Sequence, residues 1–163
     1  MTDSFYILKE LYNRQLIIPT NVIVESILTT PLEQHVTNAL HEKWMEEYSL
    51  DYSKQPAEVK EFARLRRRFG DGESAVMAIA KTWGCTMASD DLSAVRKYSE
   101  NSGIDLIGSL GILYHAFSES LITDEEANSL LQEMIDKSGY RCPVRHFAKV
   151  RDWFERSAGR RLY

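Results

Sequence analysis

Cysteine is scarce in this sequence and histidine is scattered, which argues against the commonest zinc sites and disulfide frameworks. The two cysteines, Cys85 and Cys142, form no Cys-x-x-Cys pair, and the four histidines show no ligand spacing. No apolar run reaches the length of a membrane-spanning helix, and no cleavable signal pattern follows Met1. We therefore expect a cytoplasmic protein that has no membrane partner.

An excess of positive charge is also lacking. The formal net charge is −4 at pH 7, from 20 basic and 24 acidic residues. This balance argues against a protein that only coats nucleic acid. It leaves open an enzyme that acts on nucleic acid, because local fields matter more than the total charge. The basic residues are concentrated in two clusters, at 64–68 and in the tail at 141–161.

The first basic cluster has two interpretations. Arg64, Arg67 and Arg68 lie on a predicted helix that leads toward Gly72-Glu73, where they are candidates for contact with a phosphate backbone. Alternatively, they form a solvated helix face whose charge is neutralised by Glu58 and Glu61. The sequence leaves both interpretations open.

Strand and helix patterns alternate through the middle of the chain. The alternation predicts an α/β fold in three layers, with a mostly parallel central sheet flanked by helices. With 163 residues, the chain is long enough for one domain with its own core. The predicted strands are 15–18, 48–52, 85–89 and 104–107, and the predicted helices are 6–12, 20–28, 31–44, 55–69, 74–83, 92–101, 112–120, 123–137 and one from 143.

Four acidic residues fall at or just beyond the ends of predicted strands. Glu25 follows the first strand, Glu73 begins a buried helix, and Asp90 and Asp91 directly follow the third strand. Neighbouring parallel strands end at one rim, where carboxylates suit a Mg²⁺ or Mn²⁺ ion. Such an ion activates water and stabilises charge on a phosphodiester. The alternative is that these acids cap helices, or in the case of Glu25 lie on the surface.

Four motifs, in order along the chain, resemble those of a known family. They lie between Tyr6 and Phe154 and comprise Ile18-Pro19-x-x-Val22-x-x-Glu25, Gly72-Glu73-Ser-Ala-Val-Met-Ala-Ile-Ala80, Ser89-Asp90-Asp91-x-x-Ala94 and Ile107-Gly108-Ser109-Leu110-Gly111-Ile112-Leu113. Together they resemble the small prokaryotic branch of the PIN-domain family. Each motif is weak alone, and the four in this order are fairly specific.

The resemblance implies a Mg²⁺- or Mn²⁺-dependent nuclease, often a ribonuclease and often the toxin of a toxin–antitoxin pair. By position, Glu25, Glu73 and Asp90 match family acids, and Asp91 fills the adjoining acidic position. We expect hydrolysis of phosphodiester bonds, in RNA rather than DNA. The alternative is a catalytically impaired PIN-like module that binds a partner protein or nucleic acid.

The amino-terminal region departs from the family pattern. The segment 6–12 already resembles the helix before the family's second strand, and Asp3-Ser4 mimics an Asp-Ser pair without a preceding strand. We expect one PIN-like domain over 1–163 that lacks the opening strand, its aspartate and the first helix, and in which 143–163 form the last helix and a basic tail. We expect completion of the sheet in trans, by an antitoxin, another partner chain or a second copy in a homo-oligomer.

Overall fold

The computed structural model describes residues 5–54, 56–138 and 140–156. Contacts among these residues form two compact units, one within 12–106 and the other made of the described residues of 1–11 and 107–163. The mixture of helices with short parallel strands confirms the predicted α/β class. The elements are α1 Phe5–Tyr12, β1 Leu16–Pro19, α2 Thr20–Val22, a π-helical segment Ile23–Ile27, α3 Glu33–His41, β2 Met45–Tyr48, α4 Pro56–Leu65, α5 Asp71–Trp83, β3 Met87–Ala88, α6 Leu92–Ser102, β4 Leu106–Ile107, α7 Ser109–Ser118, α8 Asp124–Ser138 and α9 Phe147–Arg156.

Two small sheets contain the strands. Strand β1 runs parallel to β2, and their register places Leu16 opposite Met45 and Pro19 opposite Tyr48. Strand β3 pairs with β4. The backbone N–H of Met87, in β3, donates a hydrogen bond of 2.8 Å to the carbonyl of Asp105, the residue before β4. Among the described residues, β1 and β3 both pack against α5 but are not hydrogen-bonded to each other.

Helix α5 is the buried centre of the 12–106 unit. Its buried face carries small and apolar side chains, which let neighbouring elements approach closely. The helix ends at Gly84, whose φ of +66° is a left-handed conformation that glycine adopts without strain. It begins at Asp71, three residues before the predicted start. The buried residues of α5 are Gly72, Ser74, Ala75, Met77, Ala78, Ile79 and Ala80.

The segment after Pro19 differs from the predicted helix. Pro19 occupies the N-cap position, and the Thr20 hydroxyl is bound to Glu47 and Ser49 instead of capping the helix. The α-helix gives way to a π-helical turn after three residues. Ser26, on the π-helical segment, is exposed.

Other predicted boundaries were wrong by a few residues. The second strand is Met45–Tyr48 instead of 48–52, because the chain pairs with β1 as soon as α3 has ended. Trp44 is buried just beyond α3 and not on it, while Leu32 precedes the helix and is 45% exposed. Helix α7 begins at Ser109, with Gly108 as its N-cap.

Helices form the core of the second unit. Side chains from α1, α7, α8 and α9 form one apolar core, in which Leu131, Phe147 and Val150 are fully buried. A capping box begins α8, since the side chains of Thr123 and Glu126 each accept a hydrogen bond from the other residue's backbone N–H. Helix α9 begins at Phe147, four residues later than predicted. Gly139 and the basic tail from residue 157 lie outside the described residues, as do Asp3 and Ser4.

None of the helices in the described residues is long and apolar enough to cross a bilayer.

Candidate active site

Glu25 lies against the amino terminus of α5. One carboxylate oxygen, Oε2, accepts a hydrogen bond from the backbone N–H of Gly72. The first N–H groups of a helix have no partner within it, and the helix dipole favours a negative charge there. Glu25 therefore caps α5 from a segment that lies 47 residues away in the sequence.

Two glycines make room for the Glu25 carboxylate. A Cβ atom at Gly70 would lie 2.6 Å from Glu25 Oε1, and one at Gly72 would lie 2.9 Å from Oε2. Real Cβ atoms do not approach oxygen so closely, so any larger residue at either position would displace the carboxylate or the backbone. The Gly-Asp-Gly turn thus admits an acidic side chain to the helix terminus.

Glu25 and Glu73 line the same cavity. It has a volume of about 310 Å³ and is bounded by the π-helical segment, the first turns of α5 and the end of β3. Glu73 is half-buried, and its carboxylate has no hydrogen-bond or ion-pair partner among the described residues. The lining residues are Val22, Glu25, Ser26, Gly72, Glu73, Val76, Met87, Ala88, Ser89 and Val95.

Asp90 and Asp91 follow Ser89 directly but are not part of that lining. Both are exposed. The backbone N–H of Asp91 donates to Ser89 Oγ over 3.2 Å, and its carbonyl accepts from the N–H of Val95, so Asp91 precedes α6 at the N-cap position. The structure brings Glu25 and Glu73 together at one cavity. The aspartate pair lies outside this cavity and directly follows its lining residue Ser89.

A second cavity also includes Glu25. It has a volume of about 500 Å³ and lies beside the Gly70 end of the Gly-Asp-Gly turn. Sequence reasoning missed it, because no motif joins its two distant walls. Its lining residues are Thr20, Asn21, Val24, Glu25, Gly70 and Asp71.

The arginine cluster does not form one helix face. Arg64 lies on α4 and donates to Glu61 from Nη2 over 2.6 Å, which agrees with the neutralised-surface interpretation for this residue. Helix α4 ends at Leu65, so Arg67 and Arg68 lie in the following turn. Arg68 stacks over the Phe69 ring at 5.8 Å, and Arg67 has no side-chain partner among the described residues.

Glu61 joins three helices. It accepts hydrogen bonds from Arg64, from Lys81 Nζ over 3.0 Å and from the Tyr98 hydroxyl over 2.7 Å. The hydrogen bond from Arg64 is the largest cause that lowers the pKa of Glu61 to about 2. Burial and the neighbouring carboxylate raise the pKa of Tyr98. This network holds α4, α5 and α6 together on the face that carries Arg64.

Glu58 is buried, with 5% of its surface exposed, although the sequence suggested that it neutralises surface arginines. Its carboxylate accepts hydrogen bonds from the Trp83 indole N–H and, over 3.1 Å, from the Tyr48 hydroxyl. The Tyr48 and Trp83 rings meet edge to face, with centroids 4.6 Å apart. The alternative role for Glu58 as a partner of the arginine cluster is therefore wrong.

An α/β fold with two carboxylates at a cavity beside the end of a parallel strand is typical of metal-dependent hydrolases. The family model for DUF3368, described as a PIN domain, matches residues 1–156. The chain therefore belongs to the PIN-domain family, as its motifs predicted. No curated protein and no solved structure shows a significant match.

Membership in the PIN-domain family implies a nuclease-type fold, general dependence on metal ions and interaction with nucleic acid. The described residues form no group of three or more His, Cys, Asp and Glu side chains able to hold a metal. Mg²⁺, however, is commonly bound through one or two carboxylates, with water and substrate phosphate completing its shell. The two glutamates at one cavity, one of them unpaired, fit that requirement.

Proposed function

We propose that this protein is a Mg²⁺- or Mn²⁺-dependent nuclease that hydrolyses phosphodiester bonds in RNA in preference to DNA. The observation that carries the proposal is the cavity shared by Glu25 and Glu73. The Glu73 carboxylate supports a ligand role, because it lines this cavity and has no partner among the described residues, which leaves its oxygens available to a cation.

Each acidic residue has a distinct role in this proposal. Glu73 and Glu25 would hold the cation, and the bound cation supplies an activated water and neutralises charge on the phosphodiester. The N–H of Gly72 fixes the orientation of the Glu25 carboxylate. Asp90 and Asp91, which follow the lining residue Ser89, orient the attacking water or take part in holding a second ion.

The test is cleavage of a mixed pool of single-stranded RNA and single-stranded DNA in Mn²⁺. We expect the wild-type protein to cleave RNA. The Glu73→Gln and Asp90→Asn variants should not cleave it, and neither should the wild-type protein in EDTA. Glu100→Gln and Asp136→Asn remove charges from exposed positions on α6 and α8 and serve as matched controls. Equal background cleavage in the wild-type protein and the Glu73 variant would refute the nuclease proposal.

The second candidate is a PIN-like module that binds a partner protein or nucleic acid without catalysis. The observation that favours it is the position of Asp90 and Asp91, neither of which lines the cavity that Glu25 and Glu73 share. The discriminating result is tight binding of RNA that is unchanged by EDTA and by Asp90→Asn, combined with no cleavage in Mn²⁺.

We also propose that a partner chain completes the sheet, with an antitoxin or a second copy as the occupant. The supporting observation is that β1 and β3 pack on the same helix while each is hydrogen-bonded on one side in the described residues. An inserted strand would satisfy the backbone groups at both edges. Light scattering that finds a stable monomer at every concentration would refute the homo-oligomer form.

A further inference from the structure

Glu25 separates two cavities of different character. The first, lined by Gly72 and Glu73, is the proposed metal site. The second, about 500 Å³, is lined by the residues just before them, Gly70 and Asp71, together with Thr20, Asn21 and Val24 from the opposite wall. We refer to it as the Asn21 cavity. Its volume lies within the range of about 300 to 1,000 Å³ that is usual for small-molecule sites.

The charges around the Asn21 cavity disfavour an anion inside it. Two carboxylates, Glu25 and Asp71, belong to its lining. Asp71 is neutralised by Arg66, whose Nε lies 2.6 Å from Asp71 Oδ1, but Glu25 has no basic partner among the described residues. A phosphate would therefore meet repulsion from Glu25, whereas a neutral group with hydrogen-bond donors would be accepted.

The uncharged lining suits the base and sugar of a nucleotide. The Asn21 carboxamide offers two donors and an acceptor, and it has no partner in the described residues. Amide side chains are common readers of base edges, and carboxylates accept hydrogen bonds from ribose hydroxyls. Val24, which is 64% exposed, provides an apolar wall against which a base can pack.

The segment of this chain just before Gly70 offers a contact for the phosphates that remain outside the Asn21 cavity. Arg67 lies three residues before Gly70, is exposed, and has no partner among the described side chains. The Thr20 hydroxyl is fixed by Glu47 at 2.7 Å and Ser49 at 2.6 Å, so it shapes the cavity wall while Asn21 remains available.

We propose that the Asn21 cavity binds the nucleoside adjoining the phosphodiester that is cleaved at the Glu25–Glu73 cavity. This inference rests on the proposed nuclease function, and it adds a site that selects the nucleotide beside the cut. Asn21 reads the base or ribose, Val24 packs against the base, and Arg67 contacts a flanking phosphate.

The test is a titration with the four ribonucleoside 5′-monophosphates in EDTA, followed by amide NMR spectra. We expect at least one nucleotide to shift the Asn21 side-chain and Gly70 backbone resonances. Asn21→Ala should weaken its binding by roughly 5- to 100-fold, the effect of losing a good paired contact to a base. Asn38→Ala, which removes an amide from the exposed face of α3, should bind like the wild-type protein.

The titration separates this inference from the proposed function because it requires neither metal nor cleavage. No shift of Asn21 and Gly70 with any of the four nucleotides, or equal binding by Asn21→Ala, overturns the Asn21 cavity as a nucleoside site even if RNA is cleaved. If a nucleotide binds there and RNA is not cleaved in Mn²⁺, the nucleoside site stands and the nuclease proposal fails.

Discussion

The Glu25 carboxylate and the backbone N–H of Gly72 form a hydrogen bond that joins the π-helical segment to the amino terminus of α5. The bond places a charged acceptor where the helix has unsatisfied N–H groups and a positive dipole end. Glu25 thus has a structural role in addition to the metal role that we propose. Variants at this position separate the two roles.

Replacement of Glu25 by alanine should lower the free energy of unfolding by about 1 to 2 kcal/mol, because the Gly72 N–H loses its capping acceptor. Glu25→Gln keeps an oxygen acceptor and should lose about 1 kcal/mol or less. Urea denaturation in EDTA measures both values. If both Glu25 variants were as stable as the wild-type protein, the hydrogen bond between Glu25 and Gly72 would have no net stabilising effect.

Gly72→Ala should destabilise the protein by about 1 to 2 kcal/mol, since the new Cβ would overlap Glu25 Oε2 and displace the carboxylate from the Gly72 N–H. In the Glu25→Ala background the same substitution should cost less, because the overlapping carboxylate is gone. A double-mutant cycle from urea denaturation gives a coupling energy, expected to be about 0.5 kcal/mol or more. Additive effects of the two substitutions would contradict the close packing of these residues.

Binding of Mn²⁺ should raise the melting temperature of the wild-type protein, because a ligand that binds the folded state stabilises it. Glu73→Gln removes the unpaired carboxylate at the proposed metal site and should abolish the increase. Glu100→Gln should retain it, since Glu100 is exposed on α6. Differential scanning fluorimetry with and without EDTA measures the shift, and an equal shift in both variants would place the ion elsewhere.

The pKa of Glu61 predicts a loss of stability in acid. Arg64 and the other donors lower this pKa from 4.5 to about 2 in the folded state. The resulting stabilisation is therefore fully present above pH 4.5 and is lost as the pH falls from 4.5 toward 2. We expect about 1 kcal/mol, because Arg64 and Lys81 are exposed and solvent screens them.

Glu61→Gln measures that contribution by difference. The stability gap between wild type and variant should be largest near pH 7 and should narrow between pH 4.5 and pH 2. The exposed Glu10 provides a matched control, and Glu10→Gln should show no such narrowing. A gap that is constant with pH would show that the ion pairs do not stabilise the fold.

Trp83→Phe should destabilise the protein by about 1 to 3 kcal/mol, because the buried Glu58 carboxylate would lose the indole N–H donor. Trp153→Phe is the matched control: both tryptophans are 47% exposed, and the Trp153 indole makes no hydrogen bond among the described residues. Thermal unfolding followed by circular dichroism measures the difference. Equal losses in the two variants would show that the Glu58 hydrogen bond has no special weight.

Local sequence signals predicted the elements whose causes are local. Helix α5 ends at Trp83, before a glycine and at the predicted residue, and α8 begins at the Thr123–Glu126 capping box, one residue after the predicted start at 123. Boundaries failed where a distant partner decides them. Strand β2 begins at Met45 because it pairs with β1, and alternation in the sequence alone favoured a start at Tyr48.

The candidate site likewise has features that the sequence predicted and features that only the structure shows. The acidic residues and their motifs were evident in the sequence and indicated the PIN-domain family, which the family match confirms. The Asn21 cavity had no sequence signal, because its walls come from residues about 50 positions apart. The roles of Glu25, Glu73, Asp90 and Asp91 stay predictions that the cleavage and metal experiments test.

The sequence by itself determined the α/β class, the family and most helix positions, because these depend on periodicity, glycine placement and local capping. The tertiary structure decided how two of the helices begin. The backbone N–H of Gly72 binds Glu25, and that of Phe147 binds Asn128 Oδ1 at 3.0 Å, each across a long separation in the chain. A helix terminus needs an acceptor for its free N–H groups, and here packing supplies acceptors that no neighbouring residue provides.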